Sequence, residues 1–180
     1  MTGKTHVKLA IATALGMTLI PEVNTIITTN GAAVTTTGIY LAAATLGGLF
    51  PDIDVETSTL GKLVPFVGKL CSLNPNSVFA HRGFFHSVWF PVLALCAALY
   101  GLSIQNPFIY IPAAGFLIGN LSHILGDISV GSVKLFAPFM KKEFSILHLK
   151  GHKTAYNIAD GIANVLSVVF IFGYVAMFAL

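Results

Sequence analysis

Residues 108–127 read FIYIPAAGFLIGNLSHILGD. From Phe108 to Leu125 there is no Lys, Arg, Asp or Glu, and the run approaches the ~20 residues an α-helix needs to cross a bilayer core. His123 and Asp127 stand at its end with i, i+4 spacing, so on a helix they share one face. The plan recurs along the chain: an apolar run, with His or Asp at one end.

Four further apolar runs cover about 7–28, 32–50, 84–102 and 161–180. Turn signals separate them at Thr29-Asn30-Gly31 and Gln105-Asn106-Pro107; Pro51 ends the second run, and Pro21 and Glu22 interrupt the first. Only 9% of the 180 residues are charged, against about 25% in ordinary soluble domains. Hydrophobic residues make up 55%, and mean hydropathy is +0.82. So little charge cannot cover the surface of a soluble domain. Composition therefore excludes a disordered chain, a coiled coil, a disulfide scaffold and a typical cytosolic enzyme. It predicts one all-α polytopic membrane bundle over residues 1–180, with about five transmembrane helices. The net charge of +3 is scattered in small groups and forms no stripe for nucleic acid. Cys71 and Cys96 are isolated, which points to neither a disulfide nor a thiolate metal site.

The first run, with Lys4 and Lys8 before it, also resembles a signal peptide, but no small-x-small cleavage pattern follows. Orientation follows from the basic residues. Lys4 and Lys8 precede the first span; Lys62, Lys69 and Arg82 lie between the second and third; Lys134, Lys141, Lys142, Lys150 and Lys153 lie between the fourth and fifth. All ten thus fall on one side, predicted cytoplasmic, with the N-terminus in and the C-terminus out. Gly115 with Gly119, and Ala42 to Ala44 with Gly47 and Gly48, offer small faces on which helix backbones can approach closely.

On this map His6 starts span one, Asp52 and Asp54 follow span two, His81 and His86 flank the start of span three, and His123 and Asp127 end span four. All seven arrive at one membrane face. An extended segment after Pro51 would point Asp52 and Asp54 the same way. Gly83 allows a sharp turn after His81-Arg82. Any one of these residues alone reads as an interfacial or capping group. Together, carboxylates and imidazoles in one desolvated pocket call for a cation. Mixed nitrogen and oxygen donors suit zinc, manganese or iron. Seven groups exceed the needs of one tetrahedral ion, so two metals are expected, clamping the attacking and leaving oxygens of a hydrolytic displacement. His148 and His152 have helical spacing but sit in a Lys-rich segment and read as solvated residues. Glu22 stands alone on the outer side.

The motifs Thr5-His6, Leu49-Phe50-Pro51-Asp52-Ile53-Asp54, His81-Arg82-Gly83-Phe84-Phe85-His86-Ser87 and Gly119 to Asp127, with Gly131 to Phe139 after them, resemble the bacterial inner-membrane, metal-dependent hydrolase family of YdjM type. The resemblance runs from His6 to about Asp160. Phe85 stands where family members usually carry Thr. Asn157-Ile158-Ala159-Asp160 looks like the family's late Asn-x-x-acid motif, which makes Asn157 and Asp160 further candidates. The HxxxD pair is also similar to one in helical zinc phospholipases C, an analogy of pattern only.

The expected protein is a membrane-bound hydrolase in the bacterial inner membrane. Its predicted metal ligands are His6, Asp52, Asp54, His86, His123 and Asp127. Asp54 bridges the metals or acts as base, His81 donates a proton to the leaving group, and Arg82 holds an anionic substrate. A phosphoester or ester of a lipid-like amphiphile fits a site at this depth. The alternatives are a metal-ion transporter, whose site belongs near the midplane, and a non-enzymatic scaffold with a closed structural metal. A phosphatase reporter fused after Leu180, active only outside the cytoplasm, is expected to be active. A cytoplasmic C-terminus would rule out the five-span count.

Overall fold

The computed structural model describes residues 1–28, 33–74, 77–147, 149 and 151–179, all with side chains except Ala179. The expected turn at Thr29-Asn30-Gly31, His148 and Lys150 lie outside the described residues. The fold is all-helical: α1 Gly3–Met17, α2 Pro21–Thr28, α3 Ala33–Leu49, α4 Pro65–Ser72, α5 Trp89–Ser103, α6 Pro107–Val130 and α7 Lys153–Ala179, with 3₁₀ turns at Phe50–Asp54 and Phe84–His86.

Local chemistry sets the helix starts. Thr2 caps α1 by accepting from the Thr5 N–H at 3.3 Å. Asn106 caps α6 through the Phe108 N–H at 3.0 Å, and Pro107 occupies a first-turn position where its missing N–H costs nothing.

Among the described residues, three helices are long and apolar enough to cross a membrane: Ala33–Asp54, Pro107–Val130 and Lys153–Phe178. The first expected span, 7–28, is broken instead into α1 and α2, bent by 99°. Pro21 has no N–H to continue the α1 ladder and begins α2. The pair makes a fourth span only if both halves count as one. The expected third span begins at Trp89 rather than Phe84, because the chain turns in 3₁₀ form at Phe84–His86. α6 runs past the expected Leu125 to Val130, so His123 and Asp127 share a face in its last two turns, as their spacing predicts. α7 starts at Lys153, eight residues earlier than expected, and His152 precedes it without being helical.

The two predicted small faces meet each other. At Gly119 a Cβ would collide with the Ala44 carbonyl oxygen, and at Gly115 with that of Tyr40. α3 and α6 therefore pack backbone to backbone, the usual way helices gain contact where lipid supplies no hydrophobic drive. Beside this seam, Tyr40, Ala44, Tyr110 and Ile111 form a buried cluster with Ala14 and Ile27. α7 packs chiefly on α1, where the Thr18 and Tyr174 hydroxyls bond at 2.6 Å and Lys8 Nζ donates to Asn164 at 2.8 Å. The segment after α6 is pinned to the start of α5: Trp89 Nε1 donates to the Ala137 carbonyl at 2.8 Å.

Gly119→Leu is expected to lower stability by about 1–3 kcal/mol or more through overpacking. Gly38→Leu, at a position with open space, should be neutral. Thermal unfolding in detergent compares the two.

Candidate metal centre

The site begins at the seam. His123 Nδ1 donates to the Gly48 carbonyl oxygen at 2.7 Å. A carbonyl only accepts, so this bond puts the proton on Nδ1 and leaves the Nε2 lone pair facing inward. One turn on, Asp127 presents Oδ2 3.8 Å from that Nε2. His6, near the start of α1, stacks on the His123 ring with centroids 3.6 Å apart and brings Nε2 within 3.4 Å of Asp127 Oδ1.

The segment after Pro51 is a 3₁₀ turn, not extended. With about three residues per turn, side chains two apart diverge, and Asp52 and Asp54 take opposite sides of His86. Asp52 Oδ1 lies 3.6 Å from His86 Nε2 and 3.7 Å from His123 Nε2. Asp54 Oδ2 lies 3.4 Å from the other His86 nitrogen, Nδ1. His86 Nε2 is also 3.5 Å from Asp127 Oδ2 and 3.3 Å from His123 Nε2. Three carboxylates thus surround the buried His86 ring. Burial and the charge of Asp54 together push the Cys71 thiol up.

His81 and Arg82 sit at the rim. His81, its side chain half exposed, donates from Nδ1 to Asp54 Oδ1 at 3.0 Å. Arg82 Nη2 donates to Asp127 Oδ1 at 2.9 Å, and the Met1 ammonium reaches the same oxygen at 2.7 Å. The expected sharp turn is made by Arg82 itself, at φ 62°, and not by Gly83 at φ −100°. A side-chain-bearing residue in the left-handed region costs about 1–3 kcal/mol, a strain that functional sites often hold. Gly83 serves a different need: a Cβ there would strike the Val78 carbonyl.

Asp160 is not in the cluster. It accepts from the Thr2 N–H at 2.8 Å and the Thr5 hydroxyl at 3.1 Å, anchoring the start of α1. Asn157 is exposed on α7. Sequence reasoning missed Gly48, whose backbone carbonyl carries no sequence signal. It also passed over Asn120 and Ser87, fully buried with side-chain polar atoms lacking hydrogen-bond partners. Both stand inside the recognised motifs, beside His123 and His86, where their polarity in an apolar setting was the available signal.

Among the described residues, three donor groups have ligand atoms within 4.8 Å of one another: His6, His123 and Asp127; Asp52, His86 and His123; Asp54, His81 and His86. The residues fit a cation. Both His6 ring nitrogens, His86 Nδ1 and Asp54 Oδ2 are buried without a hydrogen bond to any protein group. The donors are nitrogen and carboxylate oxygen, the set that zinc and manganese accept. A cavity of about 540 Å³ opens on Asp52 and His81, walled by Lys4, Leu49, Val55 and Thr57.

A family model described as YdjM inner membrane protein matches residues 1–180. The chain belongs to the YdjM family. It is 30% identical over 139 residues to the uncharacterized protein YvsG of Bacillus subtilis (strain 168), a match covering 77% of this chain and 74% of that one. To the inner membrane protein YdjM of Escherichia coli (strain K12), and to that of Shigella flexneri, it is 39% identical over 89 residues. Those two matches cover 48% of this chain and 42% of the relative, less than half of either. No solved structure matches. With several long apolar helices, this YdjM-family chain is a multi-pass protein of the inner membrane.

The strain at Arg82 separates from its charge. Arg82→Gly and Arg82→Ala both lose the guanidinium, but Arg82→Gly relieves the left-handed backbone and is expected to be about 1 kcal/mol the more stable. Unfolding midpoints of the two variants check this.

Proposed function

We propose that Asp52, His86, His123 and Asp127 bind a divalent cation, zinc or manganese, with His6 and Asp127 offering a second position, and that the protein is a membrane-bound hydrolase. One observation carries the reading. Asp52 and Asp127 each present an oxygen 3.5 to 3.8 Å from both His86 Nε2 and His123 Nε2, which are themselves 3.3 Å apart. Zinc bonds of about 2.0–2.1 Å in a tetrahedron have edges of about 3.3–3.4 Å. Hydrogen bonding is a poor substitute, since a single proton on His86 Nε2 would face acceptors on Asp52, Asp127 and His123 at once. Asp127 turns Oδ1 toward His6 and Oδ2 toward His86, so one carboxylate could serve both positions.

Bound ions of this kind polarise a substrate oxygen and activate water. The chain's own groups would do the rest. Gly48 holds His123 in one tautomer, as outer partners of ligating imidazoles do. Asp54 steadies His86 through Nδ1 and His81 through its Nδ1, which leaves His81 Nε2 as the atom able to pass a proton to a leaving group at the cavity. Arg82 neutralises Asp127 and so holds the carboxylate in place. The cavity wall combines Lys4 and Thr57 with Leu49 and Val55, which supports a substrate with a polar head and an apolar tail, a phosphoester or ester of a lipid.

The alternatives fare less well. The α3–α6 seam at Gly119 lies one turn from His123 and leaves no gap between those two backbones for an ion to pass. A purely structural metal would not need a half-exposed His81 and a cavity on Asp52.

Protein purified in detergent is expected to carry zinc or manganese by elemental analysis. His123→Ala and Asp52→Ala should lose it, while Lys62→Ala keeps it; full metal content in both site variants removes the proposed site. Metal-loaded protein should cleave a phospholipid or a generic phosphoester, with a chelator abolishing turnover. Inactivity on every ester tested would remove the hydrolase reading and leave the metal site standing.

A further inference from the structure

Helix α4 buries one side and leaves the other bare. Gly68 packs so closely that a Cβ there would lie 2.8 Å from the Glu56 nitrogen, and Cys71 is buried beside it. On the other side Leu63, Phe66, Leu70 and Leu73 are 61–79% exposed. Left in water, each forgoes most of the gain of burying a large apolar side chain, and soluble monomers rarely gather such patches.

The length of α5 indicates what covers this face. Fifteen residues rise only about 22 Å at 1.5 Å each, short of the ~30 Å hydrocarbon core. To complete a crossing, α5 must borrow length from Phe84–Val88, which leads directly into it. That places Phe85, and α4 beside it, at the hydrocarbon boundary. Lys62 and Lys69 are exposed next to the apolar residues, as expected of side chains that reach for anionic headgroups. An apolar slot of about 370 Å³ lies between Val67, Leu70 and Cys71 of α4 and Phe79 and Phe85. Phe85, which lines the slot, immediately precedes His86 in the chain.

We infer that α4 lies in the plane of the membrane interface, its bare face among the acyl chains, and that the slot takes a hydrocarbon chain of a bilayer lipid. The docking stands on its own; naming that lipid as the substrate rests on the hydrolytic reading above.

Trp89 is the sole tryptophan, so Trp89→Phe gives a silent background for reporters at Phe66→Trp on the bare face and Phe79→Trp in the slot. The full chain is reconstituted in phospholipid vesicles containing lipids brominated on the acyl chain. Emission from both positions should be lost to the brominated lipid and resist aqueous iodide. Iodide quenching at Phe66→Trp with no bromolipid effect overturns the interfacial helix; quenching there but not at Phe79→Trp overturns the slot. Should the Trp89→Phe background fail to fold, Phe66→Cys, Ser72→Cys and Phe79→Cys in a chain lacking Cys71 and Cys96 test the helix and the slot, with Phe79→Cys expected to resist labelling like Phe66→Cys. A water-soluble maleimide should label only Ser72→Cys in vesicles; equal labelling of Phe66→Cys overturns the docking, and equal labelling of Phe79→Cys overturns the slot. Metal content measured on the same samples keeps the two questions apart, because a chain that docks without metal leaves this inference intact.

Discussion

The structure depends on the backbone contact between α3 and α6. At Gly115 and Gly119 the facing helix carbonyls leave no room for a Cβ. That closeness sets the Gly48 carbonyl 2.7 Å from His123 Nδ1 and so decides which imidazole nitrogen faces the centre. The other donors are referred to the same two helices. Asp52 and Asp54 continue from the end of α3, Asp127 follows His123 along α6, and His6 lies flat on the His123 ring. A wider side chain in the seam would shift a hydrogen bond, a tautomer and a set of donor distances together.

Much of this was legible in the sequence. Low charge and the apolar runs imply membrane helices, and the i, i+4 spacing of His123 and Asp127 puts them on one face. Two small-residue faces imply a tight pair. What stayed hidden depends on conformation or distance along the chain. The Phe-Pro-Asp-Ile-Asp segment reads as extended after its proline, but as a 3₁₀ turn it splits the aspartates across His86. Arg82 takes the left-handed conformation although glycine is the usual occupant of that region, and its guanidinium reaches Asp127 from that turn. The pairing of Asp160 with Thr5 spans 155 residues, and no local pattern encodes it.

Charge is scarce in this chain and concentrated where it appears. Asp127 is 2% exposed and is met on one oxygen by Arg82, Met1 and His6. A carboxylate so deep in an apolar bundle is tolerable only with such company. Arg82 reaches it from a strained turn, so the backbone bears a conformational cost while the carboxylate stays neutralised. Asp54, fully buried and shared between His81 and His86, links the rim to the interior in the same way.

The anchoring of α1 by α7 has a temporal side. Asp160 and Asn164 hold Thr2, Thr5 and Lys8, flanking His6. His6 leaves the ribosome well before its anchors, whose bonds span 155 to 158 residues of chain. During synthesis the α3–α6 pair and its Asp and His donors can assemble while the amino-terminal segment still lacks its clasp. The centre is therefore sealed only once α7 has entered the bilayer and docked on α1.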